Sequence, residues 1–404
     1  MSPPRSPITS FFVASTVEDQ GETRKIYKDH NLHVLFGVTL MAVLGVSSIT
    51  PALPDVRDAF GVTSGQVGLL ITVFTLPGVA LTPVLGVLSD RHGRRKILVP
   101  ALLLFGVAGG LCALARSFEL LLALRLLQGM GAAALGTLNV TVIGDIFTGQ
   151  ERSTALGYNS SVLSVGTASY PAIGGALAAI AWYYPFALAF LAIPVGLLVM
   201  FSLRNPEPRN DQRLTEYFGD VFARLKDREV LGLLGVSFLT FIILFGPQLT
   251  FLPILMDERF GAPSYLRGAV LSGASLTTAL TSAQLGFLTR RVAARTLLKV
   301  SFVLYAAGLV GVALAPDLWL LLVPAILFGV AQGINLPNVF ALLNDHAPSE
   351  NRGAFMATNG MSLRAGQTIG PLIMAATAGT LGLTGAYLAA TALTLVALVL
   401  TLLR

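Results

Sequence analysis

A single cysteine, Cys112, rules out a disulfide within the chain and any cluster of cysteine metal ligands. The four histidines, His30, His33, His92 and His346, are too scattered to form a metal site. Charge is scarce: 12% of the 404 residues are charged, against roughly 25% in a soluble domain. None of the 21 acids falls in the middle of an apolar run. No nucleophile, base and metal ligands cluster within the apolar runs, so no enzyme activity, metal or cofactor is expected.

What the chain has instead is apolar length. Hydrophobic residues make up 54% of it and the mean hydropathy is +0.74, which marks an integral membrane protein. A span needs about 20 apolar residues. On that rule helices are expected at 33–53, 66–88, 97–115, 119–142, 153–178 and 183–203, and again at 230–252, 267–289, 297–315, 318–342, 353–378 and 383–403. The expected fold class is therefore all-α, with twelve spans and both termini cytoplasmic. The net charge of +6 would suggest nucleic acid in a soluble protein. Here it has another origin, because nearly all Lys and Arg fall on the side assigned to the cytoplasm, as translocation of clustered basic residues is disfavoured. Arg57, Arg116, Arg259 and Arg267 fall on the other side, and Arg125 and Arg364 within spans. Trp182 and Trp319 stand at external ends, where an interfacial aromatic belt would place them. The partners expected are the lipid bilayer and a small-molecule substrate, with no nucleic acid, on a monomer in the inner or plasma membrane.

The organisation is expected in four parts. Residues 1–32 are polar, with Pro3, Pro4 and Pro7 early and Arg24, Lys25 and Lys28 late. No apolar h-region with a cleavage site follows the start, so they read as a cytoplasmic tail. Residues 33–203 form one six-helix bundle and 230–404 a second. Between them, 204–229 opens with Pro206 and Pro208, then carries Leu214, Tyr217, Phe218, Val221, Phe222 and Leu225 at helical spacing among Arg213, Arg224, Lys226 and Arg228. This reads as an amphipathic helix lying on the cytoplasmic leaflet. The halves repeat one another at a constant offset of 200: Gly86 meets Gly286, Gly129 Gly329, Asp145 Asp345, Arg152 Arg352, Asn159 Asn359, Gly166 Gly366 and Pro171 Pro371.

The strongest local pattern joins spans 2 and 3: Gly86, Val87, Leu88, Ser89, Asp90, Arg91, His92, Gly93, Arg94, Arg95, Lys96. It resembles the loop signature of the major facilitator superfamily, and the Gly/Asp/Gly placement goes beyond a positively charged loop. In span 4, Arg125, Gln128, Gly129 and Gly131 resemble a motif of the twelve-span drug:proton antiporters. In span 5, Gly166, Pro171, Gly174 and Gly175 resemble the kink motif of the same families, with Tyr170 where their glycine belongs; that tyrosine either fills the helix face or points its hydroxyl into the cavity. Leu44 and Gly45 followed by Pro51 and Pro54 resemble the element that ends span 1 in those antiporters.

The resemblance implies two six-helix halves around a substrate site at the midplane, working by alternating access. It implies that Asp90 sits at the N-terminus of span 11, where free N–H groups favour a carboxylate. It also implies that Arg91 or Arg94 pairs with Asp145, locking the cytoplasmic side in an outward-open state.

A proton-coupled antiporter generally needs a carboxylate held in the membrane. With none in mid-span, the candidate proton carriers are the end carboxylates, Asp55 and Asp257 foremost. Arg125 is expected either to face the cavity or to snorkel outward. Arg364, deep in span 11, is expected to face the cavity or bond nearby carbonyls. Gln128, Asn159, Gln248, Gln332, Asn335 and Asn359, with Gln284 and Asn338, either line the cavity or bond between helices. Proton-coupled export of a small amphipathic compound or drug is the expected function. One alternative is transport of an anionic metabolite or lipid through a positive cavity. Another, of a different class, is a non-transporting membrane receptor.

Overall fold

A computed structural model describes residues 26–205, 228–346 and 352–402, excluding the side chains of 228–229, 344–346 and 352–357. The tail expected before residue 26 and the amphipathic helix expected within 206–227 lie outside the described residues. Among the described residues there is no strand. The helices are α1 (His30–Phe60), α2 (Ser64–His92), α3 (Arg94–Leu114), α4 (Phe118–Ile146), α5 (Gly149–Ala178) and α6 (Tyr184–Ser202). They continue as α7 (Val230–Phe260), α8 (Ser264–Ala283), α9 (Ala294–Leu314) and α10 (Leu322–His346). Helices α11 and α12 lie within Arg352–Leu402 on either side of Gly382, whose φ of 70° breaks the rod.

Nine described segments are long and apolar enough to cross a membrane, and the last, Thr358–Leu402, holds both α11 and α12. Helices α5 and α8 are not among the nine, although their 30 and 20 residues would reach about 45 and 30 Å at about 1.5 Å per residue. Their sequences are rich in Gly, Ser and Thr, and they pack against each other.

The helix ends follow local chemistry. Asp29 caps α1 by accepting from the Asn31 N–H at 2.9 Å, and Thr63 and Gln66 form a reciprocal capping box on α2. Gly61 and Gly261, at φ 62° and 60°, close α1 and α7 in the left-handed conformation. The boundaries expected for spans 1 and 7 need correction. Span 1 does not stop at 53: a tight turn at Thr50–Ala52 leads into a further helix, Leu53–Phe60. Pro51 and Pro54 fall in the first turns of these pieces, where a missing N–H costs little. Asp55 and Asp58 therefore stand inside α1, and Asp257 and Glu258 inside α7, where Leu252–Phe260 extends the helix. Helix α7 also contains a wider π-type stretch at Leu244–Phe251 around Pro247, whose carbonyl accepts from the Tyr387 hydroxyl at 2.8 Å.

Helices α1–α6 share a core that includes Leu35, Val38, Phe105, Leu135, Tyr170 and Val199. A second core runs through α7–α12 and takes in Val56, Leu70 and Leu121 from one end of the first six. We call the face where α1 begins and α12 ends the terminus face. The shared core lies toward the opposite face, where the two halves meet through α2 against α11 and α5 against α8.

Candidate functional site

At the opposite face the halves are tied by charge. Arg57, in the last turn of α1, donates through Nη2 to Asp257 Oδ2 at 2.8 Å and through Nη1 to Glu258 Oε1 at 2.9 Å, both on α7. Ser64 Oγ of α2 donates to the same Glu258 oxygen. Arg267 of α8 is 1% exposed and forks between Asp257 of its own half, at 2.8 Å, and Asp55 of the other. A chain of alternating charge thus runs Asp55, Arg267, Asp257, Arg57, Glu258. With Asp58, which Arg57 also bridges at 2.8 Å, the acids outnumber the arginines.

Below these pairs the backbones come into contact. A Cβ on Gly175 of α5 would collide with the Ser264 carbonyl of α8, and one on Gly268 with the Pro171 carbonyl of α5. The Ala172 N–H donates to Ser272 Oγ at 2.9 Å. On the other seam, a Cβ on Gly68 would lie 3.9 Å from Pro371, and Thr72 Oγ1 of α2 donates to the Thr368 carbonyl of α11 at 3.1 Å. Thr75 and Thr368 share a hydroxyl hydrogen bond at 3.0 Å. One turn further on, Gly78 faces the stem of Arg364. Among the described residues, every hydrogen bond and ion pair between the halves lies on the opposite-face side of Arg364. Toward the terminus face, a Cβ on Gly86, Gly157, Gly286 or Gly360 would meet nothing within 4 Å.

The loop between α2 and α3 is organised by Arg94, which is 7% exposed. It donates through Nε to Asp145 Oδ2 at 3.0 Å and through Nη1 to Ser89 Oγ at 2.8 Å and to Asp90. Arg94, rather than Arg91, is thus seen on Asp145. Gly93 supplies φ 103° between the two helices, Arg95 reaches the Leu203 carbonyl at 3.5 Å, and Gly86 faces open space. The side chains at the start of α11, where the resemblance puts the partner of Asp90, lie outside the described residues.

The kink motif of α5 serves close packing. Gly166 presses on Leu40 and Val43 of α1, Gly174 lies against the Ser48 carbonyl, and Pro171 and Gly175 meet α8. Tyr170 is 9% exposed, and its ring packs in the first core, filling the helix face.

The reading of the intramembrane amides as cavity lining needs correction. Arg125 is fully buried, neither facing a cavity nor snorkelling. It donates to the Leu70 carbonyl at 3.2 Å, to the Gly45 carbonyl at 2.9 Å and to Gln128 Oε1 at 2.6 Å, and it lies over the Phe74 ring at 4.1 Å. Asn159 accepts from Thr39 and from Asn139, a link joining α1, α4 and α5. Asn335 accepts from Thr240 at 3.0 Å and donates to Ser301 Oγ at 2.9 Å, joining α7, α9 and α10. Gln332 accepts from the Tyr305 hydroxyl. Gln248 and Asn359 are 4% and 1% exposed. Inside a membrane bundle, amide side chains commonly hydrogen-bond across helices. Of the side chains offered for the cavity, Asn338 is buried like the others, Gln284 is exposed at the end of α8, and Arg364 stays partly exposed in the middle of its helix.

Arg57, Ser64, Glu258 and Arg267 were not singled out from the sequence. The repeat carries a signal for them: the offset of 200 that aligns the glycines also sets Arg57 on Asp257, opposite charges at equivalent positions, and beside them sets one acid, Asp58, on another, Glu258.

The sequence profile of the Major Facilitator Superfamily matches residues 35–273 and 236–404. The bacillibactin exporter of Bacillus subtilis (strain 168) is 28% identical over 359 residues, covering 86% of this chain and 89% of that protein. The class B tetracycline resistance protein of Escherichia coli is 27% identical over 353 residues, covering 84% and 86%. Among solved structures, a bacterial homologue of the human lysosomal transporter Spinster, in an inward-facing and unoccupied conformation, superposes with a TM-score of 0.81 at 16% identity over 95% of this chain and 97% of the other. At that identity the likeness is one of fold.

Proposed function

The chain belongs to the major facilitator superfamily, a multi-pass membrane transporter and not an enzyme, and from that premise we propose that it exports a small amphipathic compound by proton antiport. The terminus face is the cytoplasmic one, in keeping with the Lys and Arg gathered there, and the membrane is the cell's inner or plasma membrane. The observation that carries the reading is the one-sided closure: bonds between the halves run from the opposite face down to Arg364. Closure at one face, with every described bond between the halves on that side, fits one end state of alternating access. The bacillibactin exporter and the tetracycline resistance protein among the relatives support a small exported compound.

Asp55 and Asp257 are the groups to couple protons to this closure. Both accept from Arg267. Asp55 accepts from Arg267 and Asp257 from Arg57 across the seam between the halves, so a change of charge at either carboxylate acts directly on the contacts that close this face. Proteoliposomes under an imposed proton gradient test the reading, with compound flux and internal pH recorded together. Flux accompanied by opposite proton movement, and uncoupled in Asp55→Asn or Asp257→Asn, is the expected result. Flux with no proton movement overturns the coupling. No flux with any amphipathic compound overturns transport and favours a receptor.

A further inference from the structure

We propose that Arg364, at mid-depth on the seam between α2 and α11, is a substrate-binding residue and that it selects compounds carrying an oxyanion, a carboxylate, sulfonate or phosphate, on an apolar body. The inference rests on the transport reading above and names its substrate class.

Three observations place this side chain. The first is depth. Arg364 lies twelve residues into the helix that begins at Arg352, about 18 Å at about 1.5 Å per residue. Its contact on α2, Gly78, is fourteen residues from both Ser64 and His92. Both counts put it near the middle of a hydrocarbon core about 30 Å thick. The second is the slot it occupies. A Cβ on Gly78 would come within 3.0 Å of Arg364 Cδ and 3.2 Å of Nε, so the missing side chain of α2 lets the stem cross the seam. The third is its set of partners. Nη1 donates to Gln367 Oε1 at 3.2 Å, and among the described residues no carboxylate pairs with it. The side chain remains partly exposed, just below the Thr75–Thr368 contact where the bonds between the halves end.

An arginine at this depth is costly unless something answers its charge. The other intramembrane arginine, Arg125, is sealed in its own half by carbonyls, Gln128 and Phe74. Arg364 has one weak amide partner and a fork of N–H groups whose shape matches an oxyanion. With no acid in mid-span, a cationic compound would meet repulsion and no attraction there. The ligand's anion completes the charge balance that the protein leaves open.

The test measures binding, apart from transport. Purified protein in nanodiscs of zwitterionic phospholipid is titrated calorimetrically with 2-naphthalenesulfonate and with 2-naphthyltrimethylammonium, which share a body and differ in charge. The wild type is expected to prefer the sulfonate, and R364Q to weaken sulfonate binding by about tenfold or more, the share of one charge-assisted hydrogen bond. R364Q should leave the cation unweakened. R364K, which keeps charge and stem but loses the fork, should fall between them, and it carries the test if R364Q does not fold. Equal binding of the two probes by the wild type, or sulfonate binding unchanged in R364Q or R364K, overturns the proposal. If proteoliposomes show no flux while the preference and its loss persist, transport fails and the anion site stands. If flux persists and the preference is absent, the anion site fails and transport stands.

Discussion

Removing Arg57 should open the closed face more than removing Arg267, although Arg267 is the more buried of the two. The reason is where their bonds run. Arg57 joins α1 to both Asp257 and Glu258 of the other half. Of the two bonds of Arg267, the one to Asp257 stays within its own half, and only that to Asp55 crosses. Charge-assisted hydrogen bonds contribute about 1.5–3 kcal/mol each, less with solvent access. With Asp257 at 24% and Glu258 at 37% side-chain exposure, about 1.5 and about 1 kcal/mol are reasonable shares. Arg57→Ala then costs the closed state about 2.5 kcal/mol, roughly a 60-fold shift toward opening, while Arg267→Ala costs about 1.5 kcal/mol, roughly tenfold. The acids left behind repel one another and push the same way. Spin labels at Ala59 and Tyr265, exposed positions on α1 and α8, would read the separation by electron–electron double resonance. A longer-distance population should appear in both variants and be larger in Arg57→Ala. Unchanged distances in both, or the reverse order, would refute the assignment of the closed face to these pairs.

Asp55→Asn should open the face in part, because it removes the carboxylate through which Arg267 crosses to the other half, and the same label distances would read it. Gly175→Ala should separate the halves, since its Cβ would strike the Ser264 carbonyl of α8, whereas Gly174→Ala should lower thermal stability of the first half, since its Cβ would strike Ser48 of that half; label distances and unfolding temperature tell the two apart. Arg94→Ala should lower the unfolding temperature, since it deprives Asp145, Asp90 and Ser89 of their donor at once, and Arg94→Lys should recover only part of the loss because it lacks the fork.

The fold was largely legible because a bilayer imposes a length on every helix, and the repeat at an offset of 200 identifies two equivalent halves. The loop signature marked the cluster around Arg94, but not which arginine reaches Asp145; that depends on Gly93 turning the chain so that position 94, not 91, faces α4. The amides were legible as intramembrane polar groups and illegible as to side. Asn159 and Asn335 are hidden by the helices packed on them, a relation between distant segments that one helix's periodicity does not carry. Helix α1 was cut short at Pro54 because prolines end helices in their interiors and not in their first turn.

The closed face shows how duplication and charge act together. Positions related by the repeat approach each other wherever the axis between the halves passes between them, so identical charged residues there would repel. Gly61 and Gly261 keep the same left-handed cap on α1 and α7, at φ 62° and 60°, and thereby hold the preceding turns in matching positions. One turn back, the chain departs from identity: Arg57 meets Asp257, and next to them stand Asp58 and Glu258. A common backbone frame with opposite charges makes an attractive pair out of a symmetric approach. Interchanging the charges, Arg57→Asp with Asp257→Arg, should therefore preserve the Arg57–Asp257 contact better than either single reversal does, and the label separation at this face would tell whether pairing across the axis, rather than the particular residue on each side, is what closes it.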